Sequence, residues 1–257
     1  VLSYLDCIMK RRNFTNNLSK SLLEFHISKN VFVAEKEKAC LAVKIREGER
    51  QILRLCLVED LKDAKSELIP YNFTVNIFGS RASTFILAAV LQHHLQKLSS
   101  PVSDDMLENI LVDNIVSGCR TADEASSYYF ESRSVLQQAG MNLRQWTSNF
   151  PMINQLASQE LVKGPPTAHV LGVKWNSAED HIGLSHFNPS NNKTWTKRKI
   201  FSDIAKVFDP YGWLSPVTLA AKLLVQEIWK LSWDSLVPDD IVTKWQSLAP
   251  ELLRATR

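Results

Sequence analysis

The sequence predicts an α+β fold in which short strands alternate with amphipathic helices. Residues 110–118 form two apolar stretches around an Asp-Asn pair, which is typical of two strands joined by a tight turn. Thr121 begins a capping box and is followed by apolar residues at helical spacing. A Gly-Pro-Pro segment at 164–166 separates this part from a helix-rich remainder. We therefore expect a domain boundary near residue 165.

Composition indicates a globular protein. The chain has 257 residues, of which 45% are hydrophobic and 22% charged, so it can bury a sizeable core and is not disordered. Its longest apolar runs, such as 85–91, are far shorter than the roughly 20 residues of a bilayer span. The net charge is only +3, so any nucleic-acid surface must be local.

The cysteines and the chain start indicate the setting. Four cysteines without a C-x-x-C pair favour reduced thiols and a cytoplasmic, or nuclear, protein rather than a zinc site or a disulfide framework. No signal segment opens the sequence and its first residue is Val1, so we expect a piece of a longer chain without membrane association.

The first third is expected to be a helix followed by strands. Residues 17–25 have apolar side chains at near-helical spacing, and the charged residues 59–67 predict a solvated loop. Gly79 interrupts an extended pattern, and Ser83 is expected to cap a helix that begins at Thr84. The stretches expected to be extended are 31–34, 41–45, 51–58 and 71–77.

Later elements follow from capping and turn residues. The helix after Thr121 is expected to end at Gly140, which suits a C′ position. Residues 170–175 predict a strand, and 196–208 predict an amphipathic helix ended by Pro210 and Gly212. Ser215 before a proline predicts the start of one more helix.

The hairpin at 110–118 is the strongest candidate for chemistry. Taken alone, Asp113-Asn114 is ordinary turn chemistry. The surrounding order changes that, because a strand ending in Glu35, then a strand, a loop with Gly79 and a helix precede the hairpin. This succession is typical of a polymerase palm.

Several ordered motifs resemble the reverse transcriptase region of BEL/Pao-type long-terminal-repeat retrotransposon Pol polyproteins, over most of the chain. Family members have A-D-I-E-K-A-F, Y-V-D-D-L-L-x-G, L-R-K-W-x-S-N, L-G-L-x-W and a long T-K-R to F-D-P-x-G-x-L-x-P-V block. In the same order, these motifs resemble residues 34–40, 111–118, 143–149, 171–175 and 196–217. Two further family segments resemble residues 1–7 and 71–85.

The resemblance implies a right-hand polymerase with fingers, palm and thumb, whose palm has an antiparallel sheet with helices on one face. Residues 1–165 would be partial fingers and palm, and 166–257 a helical thumb or connection. The implied activity is templated addition of deoxynucleotides to an RNA or DNA template-primer with Mg²⁺ or Mn²⁺. The implied partner is the remainder of the Pol polyprotein; its ribonuclease H and integrase parts are expected downstream of this chain.

The resemblance also assigns roles to positions. It implies catalysis at Glu35, Asp113 and Asn114, with metal held by Glu35 and Asp113. Cys40 falls at the steric gate against a ribose 2′-hydroxyl, and the deoxynucleotide side of the site would include Phe78, Gly79 and Ser83. Nucleic-acid contacts are implied for Trp146, Gly172, Lys197, Arg198 and Lys199.

Departures from the family pattern predict weak or absent polymerase activity. Glu35 is one methylene longer than aspartate, and Mg²⁺ tolerates little displacement of its ligands. Asn114 removes one negative charge, and Cys40 supplies no gating ring. The alternative function is a non-catalytic nucleic-acid-binding or residual domain. The family also carries a peptidase label, but the sequence has no D-T-G or D-S-G triplet, so peptidase activity is unsupported.

Purely structural interpretations stay open for the basic and aromatic residues. Lys10 to Arg12 and Lys197 to Lys199 suit either solvated faces or phosphate contacts. Five of the seven tryptophans lie in the last quarter, where core packing is the preferred interpretation over base stacking.

Overall fold

The computed structural model describes residues 16–60, 62–63, 66–80, 82–192 and 194–256. The expectations for residues 1–7 and for Lys10 to Arg12 lie outside these ranges. The chain forms two compact units, Val1–Pro165 and Pro166–Arg257. Both are mixed α and β with antiparallel sheets, as the α+β prediction stated. The arrangement of fingers, palm and thumb, and the assignment of each unit to these parts, stay predictions.

The first unit is built on a four-stranded antiparallel sheet. Its strands lie in the order Ile110–Leu111, Asn114–Cys119, Asn30–Lys36, Leu143–Ser148, so the second and third of these are central. The predicted strand at 31–34 and the predicted hairpin are present. In chain order the elements are α1 (Leu18–Ile27), β1 (Asn30–Lys36), β2 (Arg54–Val58), β3 (Leu68–Asn72), α2 (Ser83–Leu98), α3 (Pro101–Asn109), β4 (Ile110–Leu111), β5 (Asn114–Cys119), α4 (Ala122–Gln138), β6 (Leu143–Ser148) and α5 (Pro151–Gln159).

Burial along β1 explains the placement of this sheet. Val31, Phe32, Val33 and Ala34 are all buried, and successive side chains of a strand point to opposite faces. Both faces are therefore covered at the centre of the sheet, whereas the resemblance implied helices on one face. Glu35 is partly exposed, whereas Lys36, which follows it on the opposite face of the sheet, is buried.

Local hydrogen bonding overrides the extended pattern in three places. A 3-10 turn, Ala39–Ala42, replaces the first part of the strand predicted at 41–45. Lys38, which precedes the turn, has a left-handed backbone (φ 49°). The turn ends where the Val43 N–H donates to the Cys40 carbonyl. Residues 47–52 form a second 3-10 turn, so the strand predicted at 51–58 begins at Arg54. The strand predicted at 71–77 is Leu68–Asn72, because it pairs with β2 across the predicted loop.

The helix ends follow the capping residues closely. Thr121 and Glu124 form the predicted capping box of α4, and Gly140 follows that helix with φ +70°. Ser83, by contrast, is the first residue of α2 and not its cap, because its hydroxyl donates to the carbonyl of Ile77.

The second unit has a three-stranded antiparallel sheet followed by three helices. Trp195 and Trp245 lie in its core with ring centroids 6.0 Å apart, as the core-packing interpretation requires. Helix α6 ends at Ile204 rather than at Phe208, whose ring packs against Gly172. The elements are β7 (Thr167–Val170), β8 (Val173–Asn176), β9 (His181–Gly183), α6 (Lys197–Ile204), α7 (Ser215–Glu227) and α8 (Asp239–Ala255).

Core packing does not explain every tryptophan. Trp213, Trp229 and Trp233 are about half exposed, so that interpretation is wrong for them.

Ser215 begins α7 with Leu214 at the cap position, one residue before the predicted cap. No helix of the described residues is both long enough and apolar enough to cross a membrane.

Candidate functional site

The hairpin between β4 and β5 turns through Val112 and Asp113. Leu111 pairs with Asn114, so the loop has two residues. Asx residues tolerate the positive φ of a tight turn, but here Val112 takes it (φ 47°). A β-branched residue in the left-handed region costs roughly 1 to 3 kcal/mol. This strained turn therefore depends on the surrounding sheet to hold Asp113 in place.

The three positions implied in catalysis lie together at the end of this hairpin. Glu35 is directly opposite Asn114 in the pairing of β1 with β5. The Lys36 N–H donates to the Asp113 carbonyl at 2.6 Å, which ties the turn to β1. The Asn114 amide nitrogen lies 3.5 Å from the Asp113 carboxylate, so the asparagine side chain faces its neighbour as a donor.

A buried lysine lies beside this site and was not anticipated from the sequence. Lys36 is 1% exposed, and its Nζ has no hydrogen-bond partner among the described residues. Burial lowers the pKa of Lys36 from 10.5 to about 7, and the negative charge of Asp113 opposes that shift. The amino group therefore interacts electrostatically with Asp113.

Cys40 is also near Asp113. Its thiol is buried, and burial raises its pKa, with the charge of Asp113 as the second cause. The resemblance placed Cys40 at a gate facing the sugar of an incoming deoxynucleotide. Cys40 is 2% exposed and packs in the core of the first unit, and its gating role stays a prediction.

The residues at the hairpin do not fit a pair of Mg²⁺ ions. Two-metal sites need several carboxylates around both cations. Among the described residues, no group of three or more His, Cys, Asp or Glu side chains is placed to hold a metal ion. Glu35 and Asp113 are the acids present, while Asn114 is neutral and the buried amine of Lys36, with its pKa lowered to about 7, is partly protonated at neutral pH.

The loop implied on the deoxynucleotide side is only partly open to a ligand. Phe78 is 63% exposed, and Gly79 has φ +87° with nothing within 4 Å of the position that a Cβ would occupy. Ser83 is buried, and the Asn76 amide donates to its carbonyl at 3.0 Å. Ser83 therefore holds the loop against α2 and is not a nucleotide contact.

An open cleft of about 410 Å³ adjoins Glu35 on the first unit. Its charged lining consists of Glu35, Glu37, Lys38, Arg144 and Lys163. The Arg144 guanidinium donates to Glu37 at 2.9 Å and is the first cause of the lowered pKa of that carboxyl, followed by the hydrogen bond from Asn142. Sequence reasoning missed these cations, because they come from three separate segments that only the sheet brings together.

Trp146 is a core residue. It is 0% exposed and packs against Phe32 and Tyr129, with ring centroids 5.7 and 4.8 Å away. A side chain enclosed in this way cannot stack on a base, so the implied nucleic-acid contact is wrong for Trp146.

Gly172 also has a structural role. Its φ is +89°, and a Cβ there would lie 2.6 Å from Phe208 Cε1. Positive φ and close approach of the Phe208 ring both require glycine here. Gly172 is nevertheless exposed, so the implied nucleic-acid contact stays a prediction beside this packing role.

Replacing Gly172 with alanine is expected to lower the free energy of unfolding of the second unit by about 1 to 3 kcal/mol, from backbone strain alone. Gly183→Ala is the matched control in the same sheet, because nothing lies within 4 Å of a Cβ at that position and no positive φ is required. Urea unfolding of both variants measures the difference. Equal stabilities would contradict the role given to Phe208.

The three basic residues at 197–199 are not equivalent. Lys197 is 6% exposed, and its Nζ donates to the carbonyls of Trp229 (2.6 Å) and Leu231 (3.1 Å). Its implied phosphate contact is wrong, because the buried ammonium group binds the backbone carbonyls of the segment that follows α7. Arg198 is exposed and paired with Asp234, and Lys199 donates to Thr194.

Residues 196–256 match the family model described as the Pao retrotransposon-like RNaseH-like domain. This segment is similar to a Pao retrotransposon domain. The match covers about a quarter of the chain and corrects the resemblance stated above, which placed these residues in a reverse transcriptase region and ribonuclease H farther downstream. A comparison with curated proteins finds no match.

The Pao-like segment does not gather its acids into a nuclease site. Two-metal nucleases need clustered carboxylates, and the described residues contain no such group. Four acids of the segment are instead engaged in bonds that hold the fold. Asp203 accepts from Ser190 and Lys206, Asp209 from the N–H groups of Trp213 and Leu214, Glu227 from Lys244 and Asp234 from Arg198.

Proposed function

We propose that the first unit, Val1–Pro165, is a palm-like unit of a Pao-type Pol polyprotein that binds an RNA or DNA template-primer but no longer adds deoxynucleotides. The observation that carries the proposal is the pairing of Glu35 with Asn114 beside Asp113. This is the position of a palm metal site by resemblance, with one of its carboxylates replaced by an amide.

The charge at the hairpin supports loss of catalysis. Two divalent cations would meet two carboxylates and one neutral amide, and the buried amine of Lys36 interacts with the charge of Asp113. The carboxamide oxygen is a poor substitute for a carboxylate, and a nearby cation weakens the binding of another. Mg²⁺ or Mn²⁺ is therefore part of the ancestral activity that we propose and not of the present one.

The cleft beside Glu35 supports retained binding. Lys38 and Lys163 are exposed along it, and Arg144 adds a third cation. Exposed lysine and arginine side chains bind phosphates and release counterions, so the affinity is expected to fall steeply with salt. Glu35 and Glu37 reduce this potential, which favours modest affinity.

Primer extension tests the loss of catalysis. We expect no extension of a primed RNA or DNA template above background with either Mg²⁺ or Mn²⁺. The Glu35→Asp, Asn114→Asp variant is also expected to be inactive, because Lys36 stays in place. Robust extension by the unaltered chain would overturn the proposal.

Salt-dependent binding tests the retained function. Lys38→Gln combined with Lys163→Gln is expected to make the plot of log affinity for template-primer against log salt shallower by about two. Lys222→Gln, an exposed lysine on α7 of the other unit, is the matched control and should leave the slope unchanged. Absence of any template-primer binding at low salt would favour a residual domain without this function.

A further inference from the structure

Two exposed tryptophans of the second unit face one buried cation. Trp229 and Trp233 follow α7 and are 62% and 45% exposed. Lys197 Nζ lies 5.1 Å from the centroid of the Trp229 ring and 4.8 Å from that of Trp233. Both indoles therefore make cation-π contacts with the same ammonium group and still offer a large part of their surface to solvent.

The positions of these rings are held by several bonds. Lys197 donates to the carbonyl of Trp229, and the Arg198 backbone N–H donates to the carbonyl of Trp233 at 2.9 Å. The Phe201 ring meets Trp233 edge-on, with centroids 5.5 Å apart and planes at 87°. We call Lys197, Phe201, Trp229 and Trp233 the aromatic platform. Because its rings are already ordered, little conformational entropy is lost when a ligand binds them.

The charges around the aromatic platform favour an anionic ligand. The two segments that build it, 196–201 and 228–235, carry four basic residues and one acid, Asp234. Asp234 is paired with Arg198, whose guanidinium lies 5.6 Å from the Trp233 centroid. The basic residues are Lys197, Arg198, Lys199 and Lys230.

The mixture of aromatic and basic residues in the aromatic platform distinguishes between a protein partner and a nucleic-acid partner. The core of a protein interface is depleted in lysine, because burying an ammonium group without a counter-charge is costly. Surfaces that bind single-stranded nucleic acid combine aromatic faces, on which bases stack, with cations that track the phosphates. The exposed indoles of Trp229 and Trp233, with basic residues nearby, therefore fit a surface that binds single-stranded nucleic acid.

We propose that the aromatic platform binds single-stranded nucleic acid, with unpaired bases stacked on Trp229 and Trp233 and phosphates near Arg198, Lys199 and Lys230. Lys197 acts as a positioning residue that fixes both indoles. The proposal is independent of the one for the first unit, since every residue involved belongs to Pro166–Arg257.

Fluorescence anisotropy of a labelled oligothymidylate of about 20 nucleotides, longer than the usual site of one stacking groove, tests the proposal on the full chain. We expect Trp229→Ala and Trp233→Ala each to weaken binding roughly tenfold, as loss of one stacked base does. Trp229→Phe and Trp233→Phe should keep most of the affinity, because phenylalanine still stacks. Trp213→Ala is the matched control, since Trp213 is equally exposed but stacks on Tyr211.

Several outcomes would overturn the proposal. One is no binding of the oligothymidylate at low salt, and another is equal affinity of the alanine and phenylalanine variants. Equal affinity for a blunt duplex would indicate a general basic surface. If the alanine variants only shift a dimer toward monomer, a second copy of the chain covers the aromatic platform. Lys222→Gln, which removes an exposed lysine outside the aromatic platform and outside the cleft of the first unit, should not change oligothymidylate binding.

Discussion

Replacing Lys36 with methionine is expected to stabilise the protein at pH 7 by roughly 2 to 4 kcal/mol. Lys36 is 1% exposed and burial lowers its pKa from 10.5 to about 7. That difference corresponds to roughly 5 kcal/mol of destabilisation at pH values below 7. Methionine fills a similar volume without a charge to desolvate. Loss of the attraction to Asp113 reduces the gain, but Asp113 is partly exposed and water can solvate it.

The pH dependence gives the sharper measurement. Between about pH 7 and 10.5 the unfolded chain holds a proton on Lys36 that the folded chain has lost, so stability from this residue rises with pH. Below pH 7 both states are protonated and the full penalty applies. The difference in free energy of unfolding between Lys36→Met and the unaltered chain should therefore be largest below pH 7 and shrink toward pH 10.

Lys38→Met is the matched control for this comparison. It makes the same change two residues along the chain, at an exposed lysine. Its free energy of unfolding should stay within about 0.5 kcal/mol of the unaltered chain at every pH. A Lys36→Met variant that is destabilised, or whose stability follows pH as the unaltered chain does, would contradict the burial of a largely unpaired amine.

Trp146→Ala is expected to lower the free energy of unfolding by about 3 to 5 kcal/mol, as large-to-small substitutions in cores do. The indole is fully buried between Phe32 and Tyr129. The loss should appear in urea unfolding followed by circular dichroism. Phe78→Ala is the control in the same unit, and because Phe78 is 63% exposed its effect should be small.

A second variant separates packing from ligand binding at this position. Trp146→Phe keeps most of the apolar volume and should keep the fold. If the residue only packs, the affinity of Trp146→Phe for template-primer should equal that of the unaltered chain. A selective loss of affinity with unchanged stability would restore the contact implied by the resemblance.

Signals contained within a few residues could be predicted from the sequence. The capping box at Thr121 and the apolar run at 31–34 placed α4 and β1, because caps and buried strands are determined by local chemistry. The hairpin was placed for the same reason, although its positive φ falls on Val112.

Contacts between distant residues could not be predicted in this way. Period-two alternation at 41–45 does not reveal that left-handed Lys38 turns the chain into a 3-10 helix. The burial of Trp146 and of Lys36 depends on helices far away in sequence. In the candidate site, motif order located Glu35, Asp113 and Asn114, whereas the burial of Lys36 and the approach of Lys38, Arg144 and Lys163 to one cleft depend on the folded sheet.

The buried amine of Lys36 limits what substitutions at the hairpin can achieve. Asn114→Asp would add a carboxylate near a lysine that the core encloses, and Glu35→Asp would shorten the neighbouring side chain without removing that amine. Replacing Lys36 alone would improve folding but leave an amide at the hairpin. No single substitution therefore yields both the carboxylates implied by the resemblance and an uncharged side chain at position 36.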